Sequence, residues 1–317
     1  MDGEPVGGDP VGGETVDGGH TGGRPPLCAV VLAAGEGRRL RPLTTVRPKA
    51  LCPVGNVPLL DRMLAILELL GLHGPDLVAI NASWLAEQVV THVGDRAHLS
   101  VEPGGPIGTA GALAKLRGWV DGRGVLAGNA DAYLADDDRA DDDRTADDRA
   151  LDAGVTALLE GWDGTTVRLL GVPTRPDDPY RFGRHRFAGL SLLPWPAVAA
   201  LGVAVTAPTD LVREVWRPYE AAQQLEVVEY GGVFTDTGTP ATYLAANLHA
   251  ADRVGSGSLV DPTAKVTGTV DRAVIGAEAV VEGTLTRTVV WPGGYVGPDE
   301  HLTDAVRVGR DLTVPAR

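Results

Sequence analysis

A short apolar run that ends in glycine, PPLCAVVLAAG at residues 25–35, does most to decide what this chain can fold into. Runs of this kind are typical of strands that are buried on both faces of a parallel sheet. Two further strand candidates, DLVAINASW and GVLAGNADAYL, alternate with two helix candidates, VPLLDRMLAILELLGLHG and TAGALAKLRGWV. This alternation predicts an α/β fold with a sheet that contains parallel strands.

The composition argues against several classes of protein. The net charge of the 317 residues is −14, which disfavours general binding to nucleic acid or to anionic membranes. No stretch approaches the ~20 consecutive apolar residues that a membrane span needs. The acidic N-terminus lacks the basic and apolar regions of a signal peptide, and the two cysteines lack metal-ligand spacing. We therefore expect a cytoplasmic protein without nucleic-acid or membrane partners.

Much of the negative charge lies in two segments that have no apolar periodicity. Residues 1–24 hold five acids and one arginine, and residues 136–148 hold eight aspartates and two arginines. We interpret residues 1–25 as a disordered tail and residues 135–150 as a solvated acidic loop. The loop would then interrupt a folded domain of residues 26–252.

A different pattern begins after residue 255, where an aliphatic residue recurs every five or six positions. The residues that carry this rhythm are Val260, Val266, Ile275, Val280, Leu285, Val290, Val296 and Leu302. The pattern predicts a short left-handed parallel β-helix of hexapeptide rungs over residues 258–317, with an ordinary sheet and turn glycines as the alternative. Because such modules often associate with copies of themselves, we expect a homo-oligomer.

The first strand candidate leads into a turn, GEGRRLR at residues 35–41, that combines glycines with three arginines. Glycine lets backbone N–H groups approach an anion closely, and the arginine fork matches phosphate oxygens. The turn is neither a P-loop nor a GxGxxG motif. Its chemistry nevertheless predicts a site for a polyphosphate.

The longer run LAAGEGRRLRPLTTVRPKALCPVGNVPLL, residues 32–60, resembles the signature of the sugar-1-phosphate nucleotidyltransferases. That signature reads approximately LAAGxGTRLxPLT, then PKxLxPV and PLL. The resemblance implies that Arg39 and Lys49 are catalytic, and that the fold is a Rossmann-like mixed sheet of the GT-A type. It also implies nucleotide contacts from Leu32, Ala33, Ala34, Gly35 and Gly37. Arg38 departs from the family pattern, which usually has Thr or Ser there.

Further segments resemble the family in the expected order. EPGGPIGTAGAL, residues 102–113, is similar to the segment that holds the base, and implies nucleotide contacts from Glu102, Gly108, Thr109 and Gly111. VLAGNADAYL and GVFTDTGTPATYLAANLHA are similar to the two blocks that carry metal-binding aspartates, and imply Asp131 and Asp236 as ligands of Mg²⁺. RFAGLSLLP resembles the strand that lines the sugar, so Gly189, together with Asn129, is implied there.

One family element is missing from this sequence. Many members carry a Glu-Lys-Pro triplet whose lysine contacts the sugar phosphate, and the corresponding region here reads GVPTRPDDPYRFGRHRFAGL. Arg181, Arg184 and Arg186 are the candidates to replace that lysine.

The resemblance implies transfer of a nucleotidyl group from an NTP to a sugar 1-phosphate with release of pyrophosphate. The carboxylate of Glu102 suits the N1–H and amine of guanine, which favours GTP. Residues 102–113 also resemble the corresponding segment of mannose- and heptose-phosphate guanylyltransferases, which implies mannose 1-phosphate as the partner. UTP or dTTP with another sugar 1-phosphate is the alternative. A non-catalytic subunit that senses nucleotide sugars is an alternative of another class. An acyltransferase fits less well, because His301 is the one histidine in the C-terminal repeat.

Overall fold

The computed structural model describes residues 25–135, 150–202, 208–254 and 257–317. Apart from their end residues, the predicted tail of residues 1–25 and the predicted acidic loop of residues 135–150 lie outside this described part. Both interpretations therefore stay predictions.

The first part of the chain alternates strands and helices. Its strands are β1 (Leu27–Leu32), β2 (Pro53–Val54), β3 (Val57–Pro58), β4 (Val78–Ala82), β5 (His98–Val101), β6 (Gly124–Asn129), β7 (Ala132–Ala135), β8 (Val167–Pro173), β9 (Arg181–Phe182), β10 (His185–Leu193), β11 (Leu225–Glu229) and β12 (Val233–Asp236). Its helices are α1 (Leu43–Val46), α2 (Leu59–Leu69), α3 (Ala86–Val93), α4 (Thr109–Val120), α5 (Ala150–Leu159), α6 (Trp195–Ala199), α7 (Arg217–Ala221) and α8 (Pro240–Asp252). Short 3₁₀ turns lie at Arg38–Leu40 and Lys49–Leu51, and a π-helical turn lies at Val212–Trp216.

The central sheet is mixed, as the family resemblance implies. Its strand order is β11-β8-β10-β6-β1-β4-β5, with β9 paired to β10. Strand β1 runs parallel to both β4 and β6, whereas β10 runs antiparallel to both β6 and β8. The carboxyl ends of β1, β4, β5 and β6 therefore share one edge of the sheet, where such folds place ligands.

Apolar side chains cover both faces of this sheet, which explains the unbroken apolar run in β1. Ala29 and Val31 belong to the core cluster on one face, and Cys28 and Val30 belong to the cluster on the other. Alternate residues of a strand point to opposite faces, so a strand buried on both needs apolar residues at every position. The strand and helix candidates of the sequence are confirmed at β1, β4, β6, α2 and α4.

The C-terminal strands stack in parallel, and we call residues 259–315 the C-terminal strand stack. It comprises β13 (Leu259–Val260), β14 (Lys265–Val266), β15 (Thr269–Ile275), β16 (Val280–Val281), β17 (Thr284–Val290), β18 (Tyr295–Val296), β19 (His301–Val308) and β20 (Leu312–Pro315). They form two sheets, ordered β13-β15-β17-β19-β20 and β14-β16-β18. Only β20 of these runs antiparallel to its neighbour among the described strands.

The register shows how far the chain advances between stacked strands. Thr269 pairs with Thr284, an advance of 15 residues, whereas Thr284 pairs with His301, an advance of 17 residues. Three regular six-residue turns would advance the chain by 18. The aliphatic rhythm of the sequence thus corresponds to parallel stacking with spacings shorter than a strict hexapeptide repeat.

Candidate active site

The predicted nucleotide residues gather at the carboxyl edge of the central sheet. Because β1, β4 and β6 are parallel, the segments that follow them meet there. They form a first cavity, and the predicted residues on its lining are Leu32, Ala33, Ala34, Gly35, Lys49, Gly108, Thr109, Asn129 and Asp131. Ala130 extends the strand pairing, since its N–H donates to the carbonyl of Leu32 at 3.1 Å. This contact fixes the backbone just before Asp131.

A single lysine joins the two predicted metal-binding aspartates. The Lys49 Nζ donates to Asp131 Oδ2 at 2.6 Å and to Asp236 Oδ1 at 3.4 Å. Lys49 is only 7% exposed, while the two carboxylates are about four-tenths exposed. A buried ammonium needs such partners, because an unpaired charge inside a protein costs several kcal/mol. The lysine is therefore held at the mouth of the cavity with its charge directed at the two carboxylates.

Arg39 alone of the three clustered arginines has a described contact with this centre. Its Nη2 lies 3.3 Å from Asp236 Oδ2, and most of its side chain is exposed. Arg38 and Arg41 both bind the carboxylate of Glu36, and the Arg38 hydrogen bond, helped by both positive charges, lowers the Glu36 pKa. Glu36 thus holds the two other arginines away from the aspartates and leaves Arg39 beside them.

Asp236 and Asp131 are placed by different elements that are tied together. Asp236 ends β12, which pairs antiparallel with β7, and Asp131 lies between β6 and β7. The buried hydroxyl of Thr237 donates to the Asp131 carbonyl at 2.8 Å. Thr237 was not predicted as a site residue, although its position between Asp236 and the Gly-Thr-Pro segment at residues 238–240 could have indicated it. Thr239, not Asp236, caps helix α8, with a capping box to Thr242.

Glu102, which the resemblance assigns to the base, is buried and hydrogen-bonded beside the first cavity. It is 3% exposed, its Oε1 accepts from Asn81 Nδ2 at 2.7 Å and its Oε2 accepts from the Ile107 N–H at 3.0 Å. The Asn81 Oδ1 in turn accepts from the Ala33 N–H at 2.7 Å. Asn81, missed by the sequence reasoning, lines the first cavity, and Glu102 orients it. The base-binding role of Glu102 stays a prediction.

The glycine turn before α4 is locked against a distant segment. Gly108 has φ +86°, and a Cβ there would lie 2.1 Å from the Thr209 carbonyl oxygen. The Ala110 N–H donates to that carbonyl, and the Leu211 N–H donates to the Thr109 hydroxyl. Only glycine fits such a close backbone approach at positive φ. This packing sets the shape of the cavity wall near Thr109.

Four of the predicted site residues, all within the described part of the chain, are not on the lining of either cavity described here. They are Gly37, Glu102, Gly111 and Gly189. Gly37 packs beneath the turn, where a Cβ would approach Lys49 Cβ to 3.2 Å. Gly189 has φ +90°, and a Cβ there would lie 2.5 Å from Ala132 Cβ. Both glycines therefore allow close packing behind the site.

A second cavity opens on the other side of Asp236. It is lined by Arg39, Asp236 and two further arginines, Arg175 and Arg186, together with Phe234 and threonine side chains. The guanidinium carbon of Arg186 lies 5.5 Å from the centroid of the Phe234 ring. Arg181 and Arg184 are not among the lining residues. Arg186 is thus the one of three predicted substitutes that reaches the cavity, and Arg175 was missed.

The two carboxylates suit a small, hard cation. No group of three or more His, Cys, Asp or Glu side chains among the described residues could hold a metal ion. A site with just Asp131 and Asp236 would therefore need oxygen atoms from a substrate. Mg²⁺ is bound in this way at many phosphate-transfer sites, through one or two carboxylates and phosphate oxygens. The donor set fits the predicted Mg²⁺.

No helix in the described ranges of the chain is long and apolar enough to cross a membrane.

Comparison with known proteins points to one domain family. Residues 28–159 match the family model of the nucleotidyl transferases. An N-acetylmuramate α-1-phosphate uridylyltransferase from Neisseria meningitidis is 36% identical over 116 residues, which are 35% of this chain and 48% of that protein. A mannose-1-phosphate guanylyltransferase from Mycobacterium tuberculosis is 29% identical over 114 residues, 34% of this chain and 31% of that protein.

Two longer matches extend beyond that region. The bifunctional protein GlmU of Methanocaldococcus jannaschii is 24% identical over 267 residues, 80% of this chain and 60% of that protein. A Bacillus anthracis structure described as a glucose-1-phosphate thymidylyltransferase superposes with a TM-score of 0.56 and 18% identity, over 71% of this chain and 95% of that chain. The structural likeness shows the fold. The chain spans between 31% and 60% of the length of these three curated relatives.

Proposed function

Residues 28–159 of this chain match the nucleotidyl transferase family model, and from that premise we propose that the protein transfers a nucleotidyl group from an NTP to a sugar 1-phosphate. A phosphate oxygen of the sugar 1-phosphate attacks the α-phosphorus of the NTP. The bond between the α-phosphorus and the bridging oxygen breaks, and pyrophosphate leaves. The observation that carries the proposal is the placement of Lys49 between Asp131 and Asp236.

Two anions must meet in this reaction, so the protein has to neutralise charge and position groups. The first cavity, with its glycine turn, takes the nucleotide. Lys49, whose ammonium faces the carboxylates, turns to the charge that grows on the α-phosphate. Arg39 moves from Asp236 to the β- and γ-phosphates, since its exposed side chain can reorient at little cost.

Mg²⁺ held by Asp131 and Asp236 would supply positive charge to the phosphate oxygens and bring the two substrates together. Asp131 and Asp236 both pair with Lys49, and Asp236 also pairs with Arg39. Binding of the metal would relieve the lysine of that role and free its ammonium for the substrate.

The second cavity takes the sugar 1-phosphate. It adjoins Asp236, and Arg186 provides the cation that the missing Glu-Lys-Pro lysine supplies elsewhere in the family. The Phe234 ring supports the Arg186 guanidinium from one side. Arg175, which pairs with Asp177 at 3.5 Å, lies at the rim and adds positive charge.

Two substrate pairs are candidates. GTP with mannose 1-phosphate is favoured by the resemblance of residues 102–113 and by the M. tuberculosis relative. UTP or dTTP with another sugar 1-phosphate is favoured by the position of Glu102, because this residue is 3% exposed and is not on the lining of the first cavity. The N. meningitidis relative is also named as a uridylyltransferase.

The C-terminal strand stack is proposed to be the short left-handed β-helix expected from the sequence, and to mediate self-association in a cytoplasmic enzyme. Parallel pairing at spacings of 15 and 17 residues supports the β-helix. The match to GlmU, which covers 80% of this chain, extends beyond the nucleotidyl transferase region. Light scattering on the purified full chain would give the oligomeric state.

The experiment that tests the function measures pyrophosphate release with Mg²⁺. Each of GTP, UTP, dTTP, ATP and CTP is assayed against a panel of sugar 1-phosphates. Turnover with GTP and mannose 1-phosphate would select the first pair, and turnover with UTP would select the second. Binding of nucleotide sugars without any turnover would favour the regulatory subunit.

A further inference from the structure

We propose that Trp291, in the C-terminal strand stack, is a positioning residue for Lys49. The inference rests on the proposed function for its catalytic consequence, although the contacts themselves do not depend on it. If it holds, the strand stack is part of the catalytic unit as well as a module for self-association.

Residues 47–56 carry Lys49, and we call them the lysine loop. Trp291 is connected to this loop through a buried tyrosine. The Trp291 Nε1 donates to the Tyr243 hydroxyl at 3.0 Å, and that hydroxyl donates to the carbonyl of Pro53. Trp291 is 2% exposed and Tyr243 is fully buried. Burial raises the pKa of Tyr243 well above its ordinary value, so the hydroxyl keeps its proton and remains a donor. The buried indole N–H and phenol O–H therefore form a chain of two hydrogen bonds in which each donor has an acceptor.

The same indole contacts the loop on the other side of the lysine. The guanidinium carbon of Arg47 lies 4.9 Å from the centroid of the Trp291 ring. Arg47 precedes Lys49 by two residues and Pro53 follows it by four. Trp291 therefore holds both ends of the segment that carries the catalytic ammonium.

Between those ends the segment is stiff. It forms the 3₁₀ turn at Lys49–Leu51, with the Leu51 N–H bonded to the Pro48 carbonyl at 2.8 Å and the Cys52 N–H bonded to the Lys49 carbonyl at 3.0 Å. A movement of Pro53 or Arg47 is thus carried to Lys49 without being absorbed by a flexible link.

Two more hydrogen bonds attach the next residues of the loop to helix α8 and to the C-terminal strand stack. The Gly55 N–H donates to Asn247 Oδ1 at 3.0 Å, and Asn56 Nδ2 donates to the Ile275 carbonyl at 2.9 Å. Asn247 lies on helix α8 and Ile275 lies in strand β15. Helix α8 packs between the lysine loop and the C-terminal strands within one core cluster. The lysine loop is therefore attached both to helix α8 and to the C-terminal strand stack.

The consequence for catalysis follows from the need for exact placement. A displacement of a catalytic group by about 1 Å can cost about 100-fold in rate. The Nζ of Lys49 contacts both Asp131 and Asp236, so a small shift of its backbone changes both distances. Loss of the indole donor should therefore lower turnover more than it lowers substrate affinity.

The test compares Trp291→Phe with Trp162→Phe in the full chain. Trp162 is a matched control because it is also buried and its Nε1 also donates one hydrogen bond, here to the Thr166 carbonyl at 2.8 Å instead of to a hydroxyl. It packs against Gly124, at the start of β6 and thus at the opposite edge of the sheet from Asp131. Tyr243→Phe serves as a second variant in case Trp291→Phe folds poorly.

Three readouts are needed. Thermal unfolding should show similar losses of stability for the two tryptophan variants. Steady-state kinetics should show kcat reduced about tenfold or more for Trp291→Phe, with KM for both substrates within about twofold. Hydrogen exchange should be faster in the peptide that covers residues 47–56 of Trp291→Phe, and unchanged there in Trp162→Phe.

Equal kinetics in the two tryptophan variants, or unchanged exchange at residues 47–56 in Trp291→Phe, would overturn the proposal. Hydrogen exchange needs no substrate, so it tests the positioning even if the wild-type protein lacks transferase activity. Absence of wild-type turnover with faster exchange in Trp291→Phe would contradict the proposed function and support the structural link.

Discussion

The Lys49 ammonium and the Asp131 carboxylate lie 2.6 Å apart, although 82 residues separate them in the chain. Lys49 lies in the segment between β1 and β2, and Asp131 follows β6. Parallel pairing of β1 with β6 brings the two segments to one edge of the sheet. The pair places a buried positive charge at the point where two anionic substrates would meet. The proposed reaction depends on that charge.

Replacement of Lys49 by methionine should remove most of the activity. Methionine keeps approximately the length of the lysine side chain but lacks the charge proposed to face the α-phosphate. We expect kcat to fall about 10²–10³-fold, as when one charge-stabilising donor is removed at other sites. Lys265→Met is the matched control, because Lys265 is exposed in strand β14. Steady-state pyrophosphate release measures both variants. Unimpaired turnover in Lys49→Met would remove this lysine from the mechanism.

Asp131→Asn should lower turnover and raise the Mg²⁺ concentration that gives the half-maximal rate. The amide keeps the shape of the carboxylate but loses its charge, and one of the two proposed metal ligands is weakened. Wild-type activity should disappear with EDTA and return when Mg²⁺ is added in excess. Titration of Mg²⁺ against initial rate measures the effect, with Asp311→Asn, at an exposed residue, as the control. Full activity of the wild-type protein in EDTA would contradict the metal assignment.

Arg186→Gln should raise KM for the sugar 1-phosphate about tenfold or more, since a hydrogen-bonded charge contributes about 1.5–3 kcal/mol. KM for the NTP should change little, because Arg186 lines the second cavity and not the first. Arg181→Gln controls for the loss of positive charge, since Arg181 lies on the same hairpin away from the lining. The opposite pattern, with KM raised for the NTP alone, would reverse the assignment of the two cavities.

Gly108→Ala should impair nucleotide binding more than Gly105→Ala. Both residues have positive φ, +86° and +104°, so each alanine has a backbone cost of about 1–3 kcal/mol. Only at Gly108 would the new Cβ collide with a backbone atom, the Thr209 carbonyl oxygen; at Gly105 nothing lies within 4 Å. Calorimetric nucleotide titration and thermal unfolding measure the difference. Equal effects would show that backbone strain alone matters.

Both cysteines should be inert to thiol reagents while the protein is folded. Burial raises the pKa of Cys28 and of Cys52 from 9.0 to about 12, so the reactive thiolate is almost absent at pH 8. Because the folded pKa lies above the unfolded one, the thiols' contribution to stability is complete below pH 9 and declines as pH rises towards 12. A chromogenic disulfide should report no thiols in the native protein and both after denaturation. Rapid native labelling would contradict the burial.

The sequence allowed much of the first cavity to be predicted, because its residues lie in motifs directly after strands. The segments after β1 and β6 needed only the parallel sheet to bring Gly35 and Asp131 together. Asp236 could be paired with them by resemblance alone, since its place depends on the distant pairing of β12 with β7. Local patterns carry no information on such a pairing.

Other features depended on side-chain partners that a sequence does not reveal. Nothing in the sequence indicated that the Glu102 carboxylate accepts hydrogen bonds from Asn81 and from the Ile107 N–H. Arg175 was not predicted as a site residue, because no motif marks it. The fold of β8 and β10 places it at the second cavity. The link from Trp291 to Pro53 joins residues that are far apart in sequence, and no motif marks it.

We propose that Lys49, Asp131, Asp236 and Arg39 form one centre for nucleotidyl transfer. The most direct measurement is pyrophosphate release by the wild-type chain with Mg²⁺, across the NTP and sugar 1-phosphate panel, beside Lys49→Met. We expect turnover with a defined pair of substrates, reduced about 10²–10³-fold in the variant. Absence of pyrophosphate for every pair, or equal release by the variant, would contradict it.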